Sequence, residues 1–270
     1  MIELLESELK TFKGHSSKGN QLKWLRDDIW YKADYTGYEG LSEYIVSALI
    51  AKSNLSDNDF VLYDTENVKY KRSYFTGAKS ADFMKEGDQL ITLSRLYKTR
   101  YNRDFTKDVW HIRDTKDRLS FLVDQVIRIT KLKDFGVYLC KMLTVDALFL
   151  NEDRHLHNVA VLMKSDGSFD YCPLFDHGAS LLADTTMDYP LGIDIYELIP
   201  EVKAKTVCTS FDDSLDAAES LYGQHLKFDF TKADVHKLLI EEEFYSQDIK
   251  LRVEQVIYEQ MRKYTYLFNI

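Results

Sequence analysis

Apolar residues recur at two different spacings along the chain, and the change of spacing divides it into two parts. In the first part, alternation predicts a hairpin over residues 21–34 that turns at Arg26-Asp27-Asp28, and a further strand over residues 68–75. Helical spacing predicts one helix between them, over about residues 41–52. Later in the chain helical spacing prevails, over 119–127, 135–150, 213–222, 231–243 and 246–266. This order predicts an α+β fold with a small β-rich lobe and a mostly helical lobe.

A second hairpin is predicted in the middle of the helical part. The apolar run Val159–Met163 and the run Phe169–Phe175 flank Asp166-Gly167, which is a strong hairpin turn. Because a hairpin brings its two ends together, we expect Asn158 before it and Asp176 after it to meet. The polar residues at the ends of this hairpin therefore predict a functional site.

The residues at these two ends have the spacing of phosphotransferase motifs. Asp153 and Asn158 are five residues apart, as are the Asp and Asn of a kinase catalytic loop, and Asp176 begins a D-x-G triplet that ends at Gly178. Phosphoryl transfer needs a carboxylate near the acceptor hydroxyl and hard oxygen ligands for the Mg²⁺ ions on the nucleotide. We therefore expect Asp153 to act in transfer, and Asn158 and Asp176 to share metal ions bound to a nucleotide.

A lysine and a glutamate in the first part of the chain fit the same chemistry. Lys32 ends the strand Ile29–Lys32, and Glu43 lies in the first turn of the following helix. A compact ammonium suits phosphate oxygens, and a facing carboxylate fixes its flexible stem. Glu39 is the rival partner, placed before the helix, and both charges are also compatible with a solvated surface. As a strand-end residue facing a cleft, Lys32 is expected to contribute little to stability.

Two further features concern the surroundings of these motifs. Asp146 lies on the apolar stripe of the helix that runs into Asn151, and it is predicted to be a buried partner of Arg154 or of the loop backbone. Upstream, residues 14–19 have the glycines of a phosphate-binding loop, although Asn20-Gln21 replaces the Lys-Ser/Thr of a P-loop. A glycine loop that covers phosphates and an ordinary surface loop both fit this segment.

Composition limits the classes of function. The chain has 270 residues, 45% hydrophobic and 29% charged, with a net charge of −9 and a pI near 5.3. This balance disfavours non-specific binding to nucleic acid and to anionic membranes. Three scattered cysteines predict neither a zinc site nor a disulfide framework. No secretory signal or membrane-spanning stretch is evident, so a cytoplasmic location is expected, with signal-independent export left open.

The motifs together resemble a known family. The string from Asn151 to Asn158, the hairpin and the D-x-G are similar to the C-terminal kinase domain of HipA-like serine/threonine kinases, including stand-alone bacterial members of the CtkA type. Lys32, Glu43 and residues 77–87 also fit, and the resemblance covers roughly residues 14–225.

This resemblance implies a fold related to phosphoinositide and protein kinases, with ATP and Mg²⁺ as cofactors and Ser or Thr of a protein as acceptor. It implies Asp153 as the base, Asn158 and Asp176 as metal ligands, and Lys32 as the phosphate anchor. Autophosphorylation is expected in the glycine loop, at Ser16 or Ser17. The nucleotide would be bound by the phosphate anchor, its glutamate, the hinge around Ser80–Met84 and the catalytic motifs, that is by Lys32, Glu43, Asp82, Phe83, Met84, His155, Asn158 and Asp176.

The resemblance also predicts the organisation of the chain. Residues 1–270 are expected to form one kinase-like domain with an N-lobe over 1–90 and a C-lobe over 91–270, which carries the catalytic loop 151–158 and the D-x-G 176–178. Full-length HipA proteins have an additional N-terminal subdomain, whereas 13 residues precede Gly14 here. Toxin behaviour and pairing with a DNA-binding antitoxin therefore do not follow from the resemblance and stay open, as does a small regulatory protein partner.

Two alternatives remain. Asp-Arg-His-x-x-Asn, which begins at Asp153, is also the catalytic string of phosphoinositide kinases, so a lipid or small-molecule acceptor is possible. The acidic balance argues against work at an anionic membrane. A non-catalytic nucleotide-binding module is the other alternative, and the intact set of Lys32, Asp153, Asn158 and Asp176 argues against it.

Overall fold

The computed structural model describes residues 1–10 and 21–269. The glycine loop, with Ser16 and Ser17, lies outside the described residues. The chain divides into two compact units, and each combines segments from both predicted lobes. Unit 1 comprises Met1–Asp82, Phe175–Val202 and Lys227–Ile270, and unit 2 comprises Phe83–Leu174 and Lys203–Leu226. The division into lobes at residue 90 stays a prediction.

Strands dominate the early part of the described chain and helices the later part. The strands are β1 (Ile2–Leu4), β2 (Lys23–Arg26), β3 (Ile29–Ala33), β4 (Tyr63–Tyr70), β5 (Ser73–Ala81), β6 (Gln89–Thr92), β7 (Ala160–Met163) and β8 (Phe169–Tyr171). The helices are α1 (Glu39–Ile50), α2 (Leu93–Tyr101), α3 (Phe105–Trp110), α4 (Thr115–Thr130), α5 (Phe135–Phe149), α6 (Ile195–Leu198), α7 (Phe211–Tyr222), α8 (Lys232–Glu241) and α9 (Gln247–Lys263).

Unit 1 is built on a five-stranded sheet of order β1-β4-β5-β3-β2. The predicted first hairpin is confirmed, since β2 and β3 pair antiparallel around Asp27 and Asp28, both at positive φ. The predicted single strand over 68–75 is wrong, because the chain reverses at Lys71, which also has a positive φ of 55°. Side-chain alternation continues on both sides of that tight turn, so the pattern alone did not reveal it.

One face of this sheet forms an apolar core. Edge-to-face packing of Trp24 on Tyr70, with ring centroids 5.2 Å apart, joins β2 to β4 across the sheet. The short strand β1 adds Leu4 by pairing parallel to β4. The buried residues of this cluster are Leu4, Trp24, Tyr31, Ala33, Val68 and Tyr70.

Two glycines let helix α1 approach the sheet closely. A Cβ atom on Gly40 would lie 2.4 Å from the carbonyl carbon of Gly77, and one on Gly77 would lie 2.0 Å from the carbonyl oxygen of Lys32. No side chain fits at these separations, so the backbones of α1, β5 and β3 are in direct contact. This contact places Glu43, one turn along α1, within reach of the side chain of Lys32.

We expect Gly77→Ala to destabilise the protein by about 1–3 kcal/mol or more, because the added methyl group must push β5 away from the backbone of β3. Thermal unfolding followed by circular dichroism measures the effect. Gly192→Ala is the matched control, since a Cβ there meets no atom within 4 Å and its φ is not in the left-handed region. Equal melting temperatures for the two variants would contradict the close contact.

Unit 2 contains a three-stranded antiparallel sheet of order β6-β7-β8 and helices α2, α3, α4, α5 and α7. The predicted second hairpin is confirmed, but β8 ends at Tyr171, two residues before Pro173, which has no N–H for strand pairing. Helix α5 ends where Leu150 adopts a left-handed conformation with φ 57°, and the chain turns directly into Asn151. The end of α5 therefore starts the predicted catalytic loop.

The hydrophobic pattern did not predict β6, α2 or α3. Helix α2 is largely polar and has few apolar positions from which to read a period. Among the described residues, no helix has the length and apolar character needed to cross a membrane.

Candidate active site

The side chains of Lys32, Glu43 and Asp176 meet in unit 1. The Lys32 ammonium, on β3, donates to Glu43 Oε1 on α1 at 2.6 Å and to Asp176 Oδ1 at 2.8 Å. The Glu43 side chain is 2% exposed, whereas that of Asp176 is 27% exposed. The aromatic ring of Tyr63 lies beside the ammonium, 5.1 Å from centroid to Nζ. Lys32 is therefore held between a buried carboxylate and a partly open one.

Opposing effects set the protonation of this cluster. Burial by itself lowers the pKa of Lys32, but the charges of Asp176 and Glu43 raise it well above the ordinary lysine value. Burial raises the pKa of Glu43, and the neighbouring Lys32 acts in the opposite direction. The ammonium is thus charged at physiological pH, and its charge stabilises the carboxylates around it.

Helix α1 also holds the segment that contains the D-x-G. The backbone N–H of His177 donates to Glu43 Oε2 at 2.7 Å, so Glu43 contacts both the lysine and the D-x-G. Ser42 Oγ donates to the carbonyl of Ser180 at 3.0 Å, and the Tyr38 hydroxyl donates to the carbonyl of Leu181 at 2.6 Å. These bonds fix the backbone at Asp176, which has a positive φ of 64°.

Glu39 has a different role from the one considered as a rival. It is the first residue of α1 rather than a residue before the helix, and it is buried. Its carboxylate accepts from the backbone N–H groups of Tyr35, Thr36 and Gly37 at 3.2, 2.8 and 3.1 Å. Glu39 therefore holds the loop before α1, and Glu43 is the glutamate that contacts Lys32.

A second carboxyl group, that of the half-buried Asp34, lies between β3 and α1. Asp34 accepts from the backbone N–H of Gly40 at 2.6 Å, from the Thr76 hydroxyl at 3.0 Å and from the Tyr245 hydroxyl at 2.7 Å. Burial raises the pKa of Asp34 to about 7, and the charge of Glu39 adds to this, although the three donors lower it. Asp34 therefore gains or loses its proton near neutral pH.

We expect the stability of the protein to depend on pH through Asp34. Because its pKa is about 7 in the fold and 3.8 as the reference value, its contribution is fully present below pH 3.8 and is lost as the pH rises through 7. Asp34→Asn removes this loss, so the melting temperature of the variant should rise relative to the wild type between pH 4.5 and pH 8. Asp57→Asn, at an exposed position, is the control. A constant difference across this range would contradict the assignment.

Asp153 and Asn158, the ends of the motif predicted to form a catalytic loop, are brought together in unit 2. The amide nitrogen of Asn158 donates to the backbone oxygen of Asp153 and to its Oδ2, both at 2.9 Å. Since both partners are acceptors, the amide nitrogen must face Asp153, and the amide oxygen Oδ1 points away from it. Asn158 thus holds the Oδ2 atom of the Asp153 carboxylate. The amide oxygen of Asn158 is a hard oxygen that is left to bind another ligand.

A buried ion pair joins this loop to helix α5. Arg154 Nε lies 3.2 and 3.1 Å from the two carboxylate oxygens of Asp146 on α5, and both side chains are 2% exposed. The prediction that Asp146 is a buried partner of Arg154 or of the loop backbone is confirmed, with Arg154 as a partner. Arg154 also donates to the carbonyl of Asn158 at 3.3 Å. Separating the two side chains would leave an uncompensated buried charge. The pair therefore holds Arg154, and the loop that carries it, in one position.

The remaining predicted nucleotide-binding residues lie at separate places. His155 Nε2 is 3.7 Å from Asp153 Oδ1 in unit 2. Asp82 ends the first segment of unit 1 and donates its N–H to the carbonyl of Asp28 at 2.8 Å. Phe83 and Met84 begin unit 2. The contact of these residues with a nucleotide stays a prediction.

The donor atoms at the two motifs fit magnesium. The Asp176 carboxylate and the Asn158 amide oxygen are hard oxygen ligands, which Mg²⁺ prefers. Among the described residues, no three His, Cys, Asp or Glu side chains form a cluster able to hold a metal ion. A Mg²⁺ ion that takes most of its ligands from nucleotide phosphates and water needs no such cluster. Asn158 and Asp176 belong to different units, and their meeting stays a prediction.

Sequence reasoning missed two residues next to these motifs. Tyr63 packs against Lys32 and accepts from the backbone N–H of Asp176 at 3.4 Å. Lys205 Nζ lies 3.8 Å from Asp153 Oδ1. Neither belongs to a local motif, and each is more than 30 residues from the residue it contacts. No signal in the sequence pointed to them.

No protein-family model matches the sequence, and no curated protein matches it. The Helicobacter pylori proinflammatory kinase CtkA is similar in structure, with a TM-score of 0.64 and 19% identity over 97% of this chain and 95% of that one. A chain of the Shewanella oneidensis MR-1 toxin–antitoxin complex of HipA, HipB and operator DNA aligns with a TM-score of 0.46 and 12% identity, over 96% of this chain and 63% of that chain. The likeness to CtkA confirms the predicted kinase-like α+β fold.

Proposed function

We propose that this protein is a kinase that transfers the γ-phosphoryl group of ATP to Ser or Thr of a protein, with Mg²⁺ as cofactor. The observation that carries the proposal is the contact of Lys32 with both Glu43 and the D-x-G aspartate, Asp176. Kinases hold nucleotide phosphates with a strand lysine that a helix glutamate orients, and they bind metal through the D-x-G. The fold shared with CtkA supports the same reaction class.

Each residue has a separate task in this reaction. Lys32 binds phosphate oxygens of the nucleotide, and Glu43 keeps its ammonium in place. Asp153 accepts the proton of the acceptor hydroxyl, while Asn158 orients that carboxylate through its amide nitrogen. Asp176 and the Asn158 amide oxygen would hold Mg²⁺, which neutralises charge on the phosphates. Asp82, Phe83 and Met84 would bind the adenine as a hinge, and His155 is a further nucleotide-binding residue of the proposal.

Transfer from radiolabelled ATP tests the proposal. The protein is incubated with γ-labelled ATP and Mg²⁺, alone, with a bacterial lysate, and with phosphatidylinositol vesicles. We expect labelled protein in which acid hydrolysis yields phosphoserine or phosphothreonine, and none of this label when EDTA removes the metal. Label found only in the lipid fraction would replace the protein acceptor with a lipid. ATP binding without transfer to any acceptor would indicate a binding module.

Protein incubated with ATP and Mg²⁺ in this way is also used to identify the sites of autophosphorylation. Mass spectrometry of the incubated protein should find phosphate on Ser16 or Ser17, as the resemblance predicts. In a glycine loop that covers the nucleotide, such a phosphate would add a charge of about −1.5 to −2, so modified protein should bind ATP more weakly. Phosphate found only at other residues would contradict the idea that modification of the glycine loop lowers ATP binding, and it would leave the kinase proposal unchanged. A cytoplasmic location, a protein substrate and a small regulatory partner are parts of the same proposal.

A further inference from the structure

A buried turn in unit 2 presents a lysine to the catalytic loop. The backbone N–H of Ala204 donates to the carbonyl of Thr209 at 3.1 Å and closes the turn. Arg118 of α4 donates from Nη1 to the carbonyl of Val207 at 2.9 Å, which anchors the turn. Turns are normally exposed, but Thr206 and Val207 here are buried. The backbone that carries Lys205 is therefore fixed.

The same turn is bonded directly to the catalytic loop. The Thr206 hydroxyl donates to the carbonyl of Arg154 at 2.6 Å, in a buried position next to Asp153. The neighbouring Lys205 then reaches Asp153 Oδ1 with its ammonium, at 3.8 Å. The two carboxylate oxygens of Asp153 thus have different neighbours, because Oδ2 accepts from Asn158 and Oδ1 faces Lys205.

Stability does not explain this placement. The Lys205 side chain is 42% exposed, and an ion pair at 3.8 Å with an exposed lysine adds little to the stability of a fold. A lysine at this position has another use, since an ammonium is a compact charge with three donors that suits phosphate oxygens. The acceptor hydroxyl must lie beside Asp153 for its proton to be removed, so the phosphoryl group must arrive next to Lys205.

We propose that Lys205 binds the phosphoryl group while it is transferred. In this step the acceptor oxygen bonds to the γ-phosphorus as the bond from that phosphorus to the β–γ bridging oxygen breaks. ADP leaves with the electron pair, and the hydroxyl proton moves to Asp153. Lys205 donates to an equatorial oxygen of the phosphoryl group and stabilises its charge. This inference rests on the proposed function and adds a residue that the kinase motifs do not contain.

The test compares Lys205→Ala with Lys203→Ala. Lys203 is exposed in the same segment, so it controls for the loss of one positive charge. We expect Lys205→Ala to lower kcat by about 10²-fold with little change in the KM for ATP, because the contact forms during transfer. Lys203→Ala should keep wild-type kinetics, and both variants should melt near the wild-type temperature.

A binding measurement tests the contact of Lys205 with the phosphoryl group in the absence of turnover. Calorimetry compares Mg-ADP alone with Mg-ADP plus fluoroaluminate, which mimics the phosphoryl group in transfer. We expect Lys205→Ala to lose affinity for the fluoroaluminate complex at least tenfold and to keep affinity for Mg-ADP. Equal binding of both complexes by the variant and the wild type overturns the role of Lys205. A wild type that binds fluoroaluminate but transfers no phosphate overturns the proposed function instead.

Discussion

Asp153→Asn is expected to lower the rate of phosphoryl transfer by roughly 10²–10⁴-fold, which is the usual contribution of a positioned general base. The asparagine keeps the shape of the side chain, and its amide oxygen can still accept from the amide nitrogen of Asn158, which now bonds Asp153 Oδ2 at 2.9 Å. The Arg154–Asp146 pair that supports the loop is not changed. Nucleotide binding and thermal stability should therefore stay close to those of the wild type.

Two measurements separate the effect on catalysis from the effect on nucleotide binding. Steady-state transfer from labelled ATP gives the rate, and calorimetry gives the affinity for Mg-ADP. Asp124→Asn, at an exposed position on α4 in the same unit, is the matched control and should retain full activity. Wild-type activity in Asp153→Asn would show that the catalytic loop is wrongly assigned. A parallel loss of nucleotide binding and of the folded state would assign Asp153 a structural role instead.

Lys32→Ala is expected to impair both activity and stability. The sequence predicted a lysine that contributes little to the core, but Lys32 is buried between two carboxylates. Its removal leaves Glu43 and Asp176 without the ammonium that compensates their charge, which costs about 3–5 kcal/mol for a buried pair. Transfer should fall by roughly 10²-fold or more, because a phosphate-binding cation is lost as well.

The loss of stability should depend on pH. Burial already raises the pKa of Glu43, and without Lys32 the pKa rises further. A carboxyl group with a raised pKa stabilises the fold at low pH and loses this contribution as the pH rises, so the deficit of Lys32→Ala should shrink as the pH falls. Denaturant unfolding at pH 5 and pH 8 measures this. The same deficit at both pH values would refute the charge argument.

A double variant separates charge from function at this cluster. Glu43→Gln added to Lys32→Ala removes an uncompensated buried carboxylate, so it should restore part of the stability but none of the transfer activity. Lys79→Ala, which removes a more exposed ion pair with Glu66 in the same sheet, is the control for the loss of a lysine. If Lys79→Ala were as unstable as Lys32→Ala, the loss of stability in Lys32→Ala would not be due to the buried charges that it leaves uncompensated.

Local patterns in the sequence determined the elements and the motif. The hairpin at Asp166-Gly167 and the helix that runs into Asn151 are both present, because turn chemistry and apolar period act between near neighbours. The spacing of Asp153 and Asn158 likewise placed both on one short loop, where a side-chain hydrogen bond now joins them. The strand over 68–75 was wrong for the same local reason, since alternation persists through a tight turn.

The tertiary structure alone decided which charges meet and which are buried. Lys32 and Asp176 are 144 residues apart in the chain, and Asp34 and Tyr245 are 211 apart, so no periodicity relates them. Whether Lys32 is a surface charge or a buried one depends on the close contact of Gly40 with Gly77, which brings α1 onto the sheet. Lys205 reaches Asp153 through a turn that Arg118 and Thr206 hold in place. Burial and charge compensation arise from the packing of distant segments, and for that reason only the folded chain contains them.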